Sequence, residues 1–355
     1  MNRREPQAFT LIELLVAMVV TLIIIAIMLA VFNQASLTMR TATAKINAFQ
    51  SAQAGFDIMT QRLSDATLNT YLDYDSVTAP TTYLRRSDLD FYIGQNGNTF
   101  LPTLSPAANA NSGHSIYFQA PEGYSNGSTA YANTSGMLNA CGYFIEFGPD
   151  TTYRPTLFTS GVTIQPRYRY RLMQAIQSTE YNGIYTDVEG ISVESSPAWI
   201  LPLNNMALPI AENVIALIIW PREDPSLDLI GNVLSTDYQY NSRQGFPTTA
   251  AAGTPAAYQA EQLPPILQLT IVAIDEVSAI RLQKGTTAPA VIEAALTGGT
   301  ENPPANGAGL FKTASATQYA SDMASLENNL NACHIRYQVL TASVALRESK
   351  WSSGQ

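Results

Sequence analysis

An uninterrupted apolar run near the N-terminus constrains this chain more than any other feature. From Leu14 to Phe32 only Thr21 is polar, and the run is close to the roughly 20 residues that a helix needs to cross the hydrocarbon core of a bilayer. Arg3 and Arg4 precede the run, and no further Lys or Arg occurs until Arg40. Because Lys and Arg favour the cytoplasmic side, the sequence predicts a single-pass membrane anchor with its N-terminus in the cytoplasm and its C-terminal domain on the other side.

Two ordinary targeting segments compete with this interpretation. A cleaved secretory signal would have a shorter apolar region and a small-residue cleavage site after it, whereas this run continues into residues 33–36 without a turn residue. A plain signal anchor explains the length of the run but not Glu13, an ionisable residue near its start. An acid in an apolar helix costs about 2–3 kcal/mol at the membrane centre, so we expect Glu13 either to have a partner or to reach the headgroups from the helix end.

The residues around Glu13 resemble the prepilin motif of type IV pilins and type II secretion pseudopilins. An Arg-containing leader and the small residue Ala8 precede the sequence FTLIEL at residues 9–14. In that family a prepilin peptidase cuts on the cytoplasmic side before the Phe, and the new amino terminus is methylated. The resemblance implies cleavage between Ala8 and Phe9, methylation of Phe9, and a role for Glu13 as the acid at the fifth mature position. The family usually has Gly where this chain has Ala8.

The position of Glu13 suggests a role in assembly. In a filament, such helices bundle in an apolar core where a lone carboxylate is disfavoured. The amino group of Phe9 on a neighbouring subunit is the only cation that the motif offers nearby. We therefore hypothesise that Glu13 pairs with that amine and sets the axial register, with more effect on alignment than on stability. Unchanged co-assembly of a Glu13→Ala variant would contradict this hypothesis.

The helix is predicted to continue beyond the membrane. There is no proline between residues 33 and 72, and apolar residues recur there at helical intervals. These residues are Ile46, Phe49, Phe56, Met59 and Leu63. The sequence thus predicts an α+β protein in which a long N-terminal helix, apolar first and amphipathic later, packs on an antiparallel β-sheet head. The predicted segments are a leader at 1–8, a transmembrane helix at 9–32, an amphipathic continuation at 33–72 and an extracytoplasmic head at 73–355.

The head is predicted to consist of strands separated by loops rich in Gly, Pro and Asn. Residues 214–220 and 266–274 are the most apolar and fit central strands that are covered on both faces. Residues 142–147 and 168–176 are predicted to pair. Further strands are predicted at 89–93, 115–119 and 335–346, and a helix at 316–330. Arg167, Arg169 and Arg171 alternate with Tyr, which indicates a strand with a solvated charged face.

The order of these elements resembles the larger minor pilins and J-type pseudopilins. The resemblance depends on Glu212-Asn213-Val214, on Leu263-Pro264 and on the final strand around Val339. The closing residues 344–347 with Trp351 also resemble the pilin-like cassette protein C of Verrucomicrobia. The partners that the resemblance implies are a prepilin peptidase and other pilins or pseudopilins, which would bind through the N-terminal helix. It also implies that the anchor lies in the inner membrane, with the C-terminal domain in the periplasm or outside the cell.

Composition and residue types argue against catalysis and against nucleic-acid binding. The formal net charge is −9, whereas binding to phosphate backbones takes clustered Lys and Arg. His114 and His334 are the only histidines, and no CxxC pair or catalytic constellation is evident. Glu223, Asp224 and Asp228 lack the spacing of a calcium loop and are interpreted as solvated loop acids. The sequence therefore predicts a protein that is not an enzyme and holds no cofactor or metal.

Cys141 and Cys333 are the only cysteines, and in an exported chain they could form one disulfide. Such a bridge would close a long loop and contribute roughly 4–5 kcal/mol in the loop-entropy model. Two unrelated thiols fit the sequence equally well.

Two functions follow from the sequence. The first is a minor pilin-like subunit that co-assembles into a pilus or a secretion pseudopilus, where its bulky acidic head favours the tip over the shaft. The alternative is a membrane-anchored binding module, an adhesin or ligand receptor outside any filament, whose loops contact a glycan or a surface.

Overall fold

The structure is a computed structural model that describes residues 10–76, 78–94, 113–127, 134, 136–154, 164–186, 199–243, 254–297 and 309–349. The predicted leader, with Ala8, and the predicted mature terminus at Phe9 lie outside these residues. The chain divides into two units, the first ending at Asn47 and the second beginning at Ala48.

The described chain has an α+β architecture, as predicted. The helices are α1 Leu11–Ser64, α2 Ile200–Asn204, α3 Pro255–Gln259, α4 Glu276–Leu282, α5 Ala290–Thr297 and α6 Ala316–Ala332. The first strands are β1 Tyr71–Tyr74, β2 Tyr83–Arg86, β3 Tyr92–Gly94, β4 Ser115–Ala120, β5 Asn139–Pro149 and β6 Tyr168–Gln177. The remaining strands are β7 Leu208–Glu212, β8 Val214–Arg222, β9 Tyr240–Asn241, β10 Ile266–Ile274 and β11 Tyr337–Ala345.

The first unit contains the apolar part of α1. The segment Leu11–Met39 has a mean hydropathy of 3.2 over its most apolar window, and none of that window is buried. Every side chain from Thr10 to Ala35 is exposed. A helix that is apolar on all sides and long enough to span a bilayer fits a single-pass membrane anchor.

The second unit begins with the amphipathic part of α1. Phe56, Met59 and Leu63 are at most 4% exposed and belong to the same core as β8 and β10, as their spacing predicts. Gly55 lies on this face, where a Cβ atom would come within 3.2 Å of the Cβ of Ala211 in β7. The glycine therefore allows the helix to approach the sheet closely.

The helix ends at Ser64, earlier than the predicted end at residue 72. Tertiary hydrogen bonds redirect the chain directly after it. The amide of Thr67 donates to the carbonyl of Gln119 at 2.9 Å. The side-chain oxygen of Asn69 then accepts from the amide of Asp88 at 2.9 Å. The chain next enters β1, which pairs with β2 in a two-stranded antiparallel ribbon.

Two larger antiparallel sheets form the head. The first has the strand order β7-β6-β5-β4-β3-β9, and the second has the order β11-β10-β8. Strands β5 and β6 pair from Ala140 with Gln177 to Pro149 with Tyr168, which confirms the predicted pairing. One core cluster includes the second half of α1 and strands β8 and β10, and a second cluster includes Tyr117, Phe144 and Met173 together with Trp199 and Ile200 near α2.

The two most apolar strands are adjacent, but only β10 is central. Strand β8 lies at the end of its sheet, so its predicted central position is wrong, although its residues from Val214 to Pro221 are buried. Asn213 separates β7 from β8 with φ +63°, a conformation that Asn tolerates better than most residues. Its amide donates to the carbonyl of Tyr170 at 2.7 Å, and its carbonyl accepts from Ile274 at 2.9 Å. Asn213 thus contacts both sheets at the point where the chain passes between them.

The prediction of a solvated arginine face on β6 is wrong for two of the three arginines. Arg169 is 4% exposed and Arg171 is 1% exposed. Arg171 Nη1 donates to the carbonyl of Gly148 at 2.9 Å, and its guanidinium lies 5.5 Å from the ring centroid of Tyr153. Strand β6 lies inside its sheet between β5 and β7, and neighbouring carbonyls and acids accept hydrogen bonds from its two buried arginines. Arg169 Nε and Arg171 Nη2 are buried without a partner among the described residues. The exposed member is Arg167, which bonds Glu212.

Candidate assembly site at the start of the first helix

Thr10 and Glu13 form a reciprocal pair of hydrogen bonds at the start of α1. The Thr10 amide donates to Glu13 Oε2 at 3.0 Å, and the Thr10 hydroxyl donates to the same oxygen at 3.0 Å. The Glu13 amide in turn donates to Thr10 Oγ1 at 3.4 Å. Because the helix begins at Leu11, Thr10 is the N-cap and Glu13 the third helical residue. This arrangement is a capping box.

The capping box gives Glu13 a local role. The first amides of a helix have no carbonyl partner within the helix, and their end of the helix carries a partial positive charge. A carboxylate in the first turn is stabilised there. Both bonds that Thr10 donates end on Oε2, which leaves Oε1 available for a second donor.

Thr10 is not among the predicted site residues, although the sequence signal for its role is present. A Ser or Thr followed three residues later by Glu is the pattern of a capping box, and Thr10 and Glu13 match it. The contact between them can therefore be predicted from the sequence.

Glu13 lies at one end of a shallow groove along the exposed helix. The groove is lined by Ile12, Glu13, Val16, Ala17, Val20 and Thr21. Ala17 is small enough to let another helix approach closely. The hydroxyl of Thr21 donates to the carbonyl of Ala17 at 2.7 Å, so it is satisfied within its own helix. This face therefore presents one acid and an otherwise apolar surface.

Residues 3–29 match the family described as prokaryotic N-terminal methylation motif. The chain carries this methylation motif. The match supports a type IV pilin-like protein that is processed by prepilin peptidase, and proteins with the motif are structural subunits. It covers the leader, Phe9, the capping box and most of the apolar segment, and it does not extend into the head. No curated protein and no solved structure matches the chain.

The two cysteines lie in different environments and are free thiols in the structure. Cys141 lies in β5 and is buried, and burial raises the pKa of its thiol to about 12. Cys333 follows the last residue of α6 and is exposed. The structure therefore does not bring together the two residues that the sequence suggests as a disulfide.

The prediction of solvated loop acids after β8 is wrong for Glu223 and Asp228, which are at most 5% exposed. Asp228 Oδ1 accepts from the amide of Gly231 at 2.7 Å, and Oδ2 accepts from that of Val233 at 3.0 Å. Asp224 accepts from the amide of Ser226 at 2.8 Å. Within the described part of the chain, no group of three His, Cys, Asp or Glu could hold a metal ion. These acids shape the loop.

His114 is a buried link between elements of the head. Its Nδ1 accepts from the amide of Ile219 at 3.0 Å, and its Nε2 lies 3.3 Å from the carbonyl of Phe311. Burial lowers its pKa to about 4, so the ring is neutral at pH 7. A neutral imidazole that accepts at Nδ1 can donate at Nε2, which satisfies both contacts.

Proposed function

We propose that the protein is a minor pilin-like or pseudopilin-like subunit that co-assembles into a pilus-like or secretion-like filament. Prepilin peptidase cuts it between Ala8 and Phe9, and the new amino terminus of Phe9 is methylated. The observation that carries the proposal is the match of residues 3–29 to the methylation motif. The exposed apolar surface of Leu11–Met39 supports it, since this surface can be covered first by lipid and then by neighbouring helices.

In the filament, Glu13 accepts from the amine of Phe9 on a neighbouring subunit. The capping box is compatible with this contact, because Thr10 uses Oε2 and Oε1 is available. A charge-assisted bond of this kind is strong in an apolar surrounding and sets the register of two helices.

The proposed orientation places the N-terminus in the cytoplasm and the head in the periplasm or outside the cell. Arg3 and Arg4 before the apolar segment support this orientation. The proposed segments are a leader at 1–8 that is removed in the mature protein, a transmembrane helix at 9–32 in the inner membrane, its amphipathic continuation to Ser64 and the extracytoplasmic head.

Mass spectrometry of the mature N-terminus tests the processing step. Purified from its native membrane, the protein should begin with a methylated Phe9. The same protein from a strain that lacks prepilin peptidase should begin at Met1. An intact Met1 in the strain with the peptidase would contradict the proposal and leave a signal anchor.

The size of the head supports a position at the filament tip. The second unit begins at Ala48 and makes up most of the chain, and a large head packs poorly into a closely repeating shaft. Immunogold labelling of isolated filaments should place the protein at one end. Labelling along the shaft in stoichiometric amounts would contradict this placement.

A further inference from the structure

The head contains a cavity that the proposed assembly does not use. Its volume is about 210 Å³, and it lies where the β1–β2 ribbon meets the segment before β10. Three leucines and three charged residues line much of it: Leu68, Leu72, Leu263, Arg85, Glu261 and Glu348. Cavities that combine an apolar wall with a few polar groups are the usual form of a small-molecule site.

Glu261 is the most unusual residue in this cavity. It is 4% exposed, its φ is +52°, and its amide donates to the carbonyl of Ser242 at 2.6 Å. Its Oε2 atom is buried and has no hydrogen-bond partner among the described residues. A buried polar atom without a partner costs free energy, so a residue held in this way calls for a functional explanation.

The protonation state of Glu261 indicates what it can bind. Its pKa is raised to about 8, mainly by burial; Asp90 adds to this increase, while Arg243 and Arg86 oppose it. At pH 7 the group is therefore mostly a neutral carboxyl. A neutral carboxyl can both donate and accept a hydrogen bond, as a hydroxyl group also can.

The other charges in the cavity oppose each other. Arg85 contributes a positive charge and Glu348 a negative charge, so neither an anion nor a cation gains from the cavity as a whole. The leucines favour a ligand with an apolar face. The cavity therefore favours a neutral ligand with an apolar ring face and with hydroxyl groups at the edge of that ring.

An aromatic pair extends the cavity along the ribbon. Leu72 pairs with Arg85 and Tyr74 with Tyr83, so the two cross-strand pairs share one face of the ribbon and lie about 7 Å apart. The rings of Tyr74 and Tyr83 stack with centroids 4.8 Å apart, and the two residues are 48% and 60% exposed. Exposed tyrosines of this kind offer an apolar ring face together with a hydroxyl group.

The ribbon holds this pair in place. The hydroxyl of Tyr83 donates to that of Tyr74 at 3.2 Å. Asp75 accepts from the amide of Thr81 at 2.8 Å and from its hydroxyl, which closes the end of the ribbon. The tyrosine pair is thus positioned before any ligand arrives, which lowers the cost of binding.

We propose that the Glu261 cavity and the tyrosine pair bind a neutral oligosaccharide. One sugar ring enters the cavity, where its hydroxyl groups meet Glu261 and Arg85, and the next ring stacks on the tyrosine pair. The size of the cavity supports this division, because it is smaller than the roughly 300 Å³ at which sites for drug-sized ligands begin. The proposal does not depend on filament assembly.

Glycan binding by the full-length protein tests the proposal. The chain is placed in phospholipid nanodiscs, which avoids sugar-based detergents, and is applied to an array of neutral, anionic and amino oligosaccharides. Binding to neutral oligosaccharides is expected, and isothermal titration with the best-bound one then gives the affinity. The absence of binding to neutral oligosaccharides, or a preference for sulfated or amino sugars, would overturn the proposal.

Variants assign the binding to these residues. Tyr83→Ala and Arg85→Ala should each weaken binding about tenfold, as expected for the loss of one ring contact or one charged hydrogen bond. Tyr181→Ala is the matched control, because Tyr181 is 59% exposed and lies outside the ribbon, so binding should be unchanged. Equal affinity of Tyr83→Ala and wild type would contradict the site, since this exposed substitution leaves the core intact.

Substitutions of Glu261 test its proposed chemistry. Glu261→Gln keeps one donor and one acceptor, and at pH 7 it should bind within about threefold of wild type. Glu261→Leu keeps the bulk but removes both, so it should weaken binding about tenfold. If Glu261→Leu folds, as judged by its melting curve, and binds as wild type does, Glu261 does not contact the ligand and the proposal is wrong.

Discussion

Glu13 and Thr10 exchange hydrogen bonds across the first turn of α1, so one carboxylate oxygen of the acid in the methylation motif is bonded within its own chain. A single acid could therefore act in two ways: by capping the helix, or by pairing with the amine of a neighbouring subunit. The two roles need different properties of the side chain. Capping needs a hydrogen-bond acceptor, whereas pairing with an amine needs a negative charge.

Two substitutions separate these roles. Glu13→Gln keeps the capping box, because Gln also serves at this position, but it removes the charge. Thr10→Ala keeps the charge and removes the cap, at a cost to the helix of about 1 kcal/mol. If Glu13 pairs between subunits, Glu13→Gln should lower co-purification with partner pilins at least about tenfold, and Thr10→Ala should leave it near wild type.

The measurement is co-purification from membranes at matched expression, with the mature N-terminus checked for each variant by mass spectrometry. This check shows that a loss of assembly is not a loss of processing. The opposite result, assembly lost in Thr10→Ala and kept in Glu13→Gln, would show that Glu13 acts as a helix cap.

Gly55 should tolerate no large side chain. A Cβ atom there would lie 3.2 Å from the Cβ of Ala211, so a Leu would push α1 away from β7. Gly55→Leu should destabilise the head by about 1–3 kcal/mol, the usual cost of overpacking. Ala54→Leu is the control, because residue 54 is exposed on the same helix. Urea unfolding followed by tryptophan fluorescence measures both, and equal midpoints would contradict the close approach.

Arg171 and Arg167 should differ in their importance for stability, although they are only four residues apart in the chain. Arg171 is 1% exposed and lies near the buried Glu146, and its removal would leave the carbonyl of Gly148 without this donor. Arg171→Ala should therefore cost about 3 kcal/mol. Arg167 is half exposed, so Arg167→Ala should cost less than about 1 kcal/mol. A similar decrease in the free energy of unfolding for the two variants would contradict the burial of Arg171 and support a solvated arginine face.

These residues show how much of the fold can be predicted from sequence. Phe56, Met59 and Leu63 recur at helical spacing, and β10 is a nearly continuous apolar run. Both signals lie within one stretch of chain, and the structures match the predictions. The alternation at Arg169 and Arg171 correctly predicts a strand, but it does not predict that the two arginines are buried. Their burial depends on contacts with β5, β7 and α4. These elements are either distant from each other in sequence or too short to show a clear hydrophobic period.

The candidate sites differ in the same way. The capping box is local, so Thr10 and Glu13 can be recognised from their spacing. The Glu261 cavity draws on Leu72, Arg85 and Glu348 from three separate parts of the chain. No spacing rule links residues so far apart, and without aligned relatives only the folded structure places them together.

His114 should make the stability of the head depend on pH below neutrality. Burial lowers its pKa to about 4 in the folded protein, whereas an unfolded chain has an ordinary His pKa near ~6.5. Between these values the unfolded state binds more protons, so the free energy of unfolding falls as the pH decreases from about 6.5 to 4, by about 3 kcal/mol in total. His114→Gln should lack this part of the decrease, at some cost at pH 7 from the altered contacts with Ile219 and Phe311. His334→Gln is the control, because His334 is exposed, and its pH profile should match wild type. Urea midpoints at several pH values measure the three proteins, and parallel profiles for His114→Gln and wild type would show that His114 is not the group responsible.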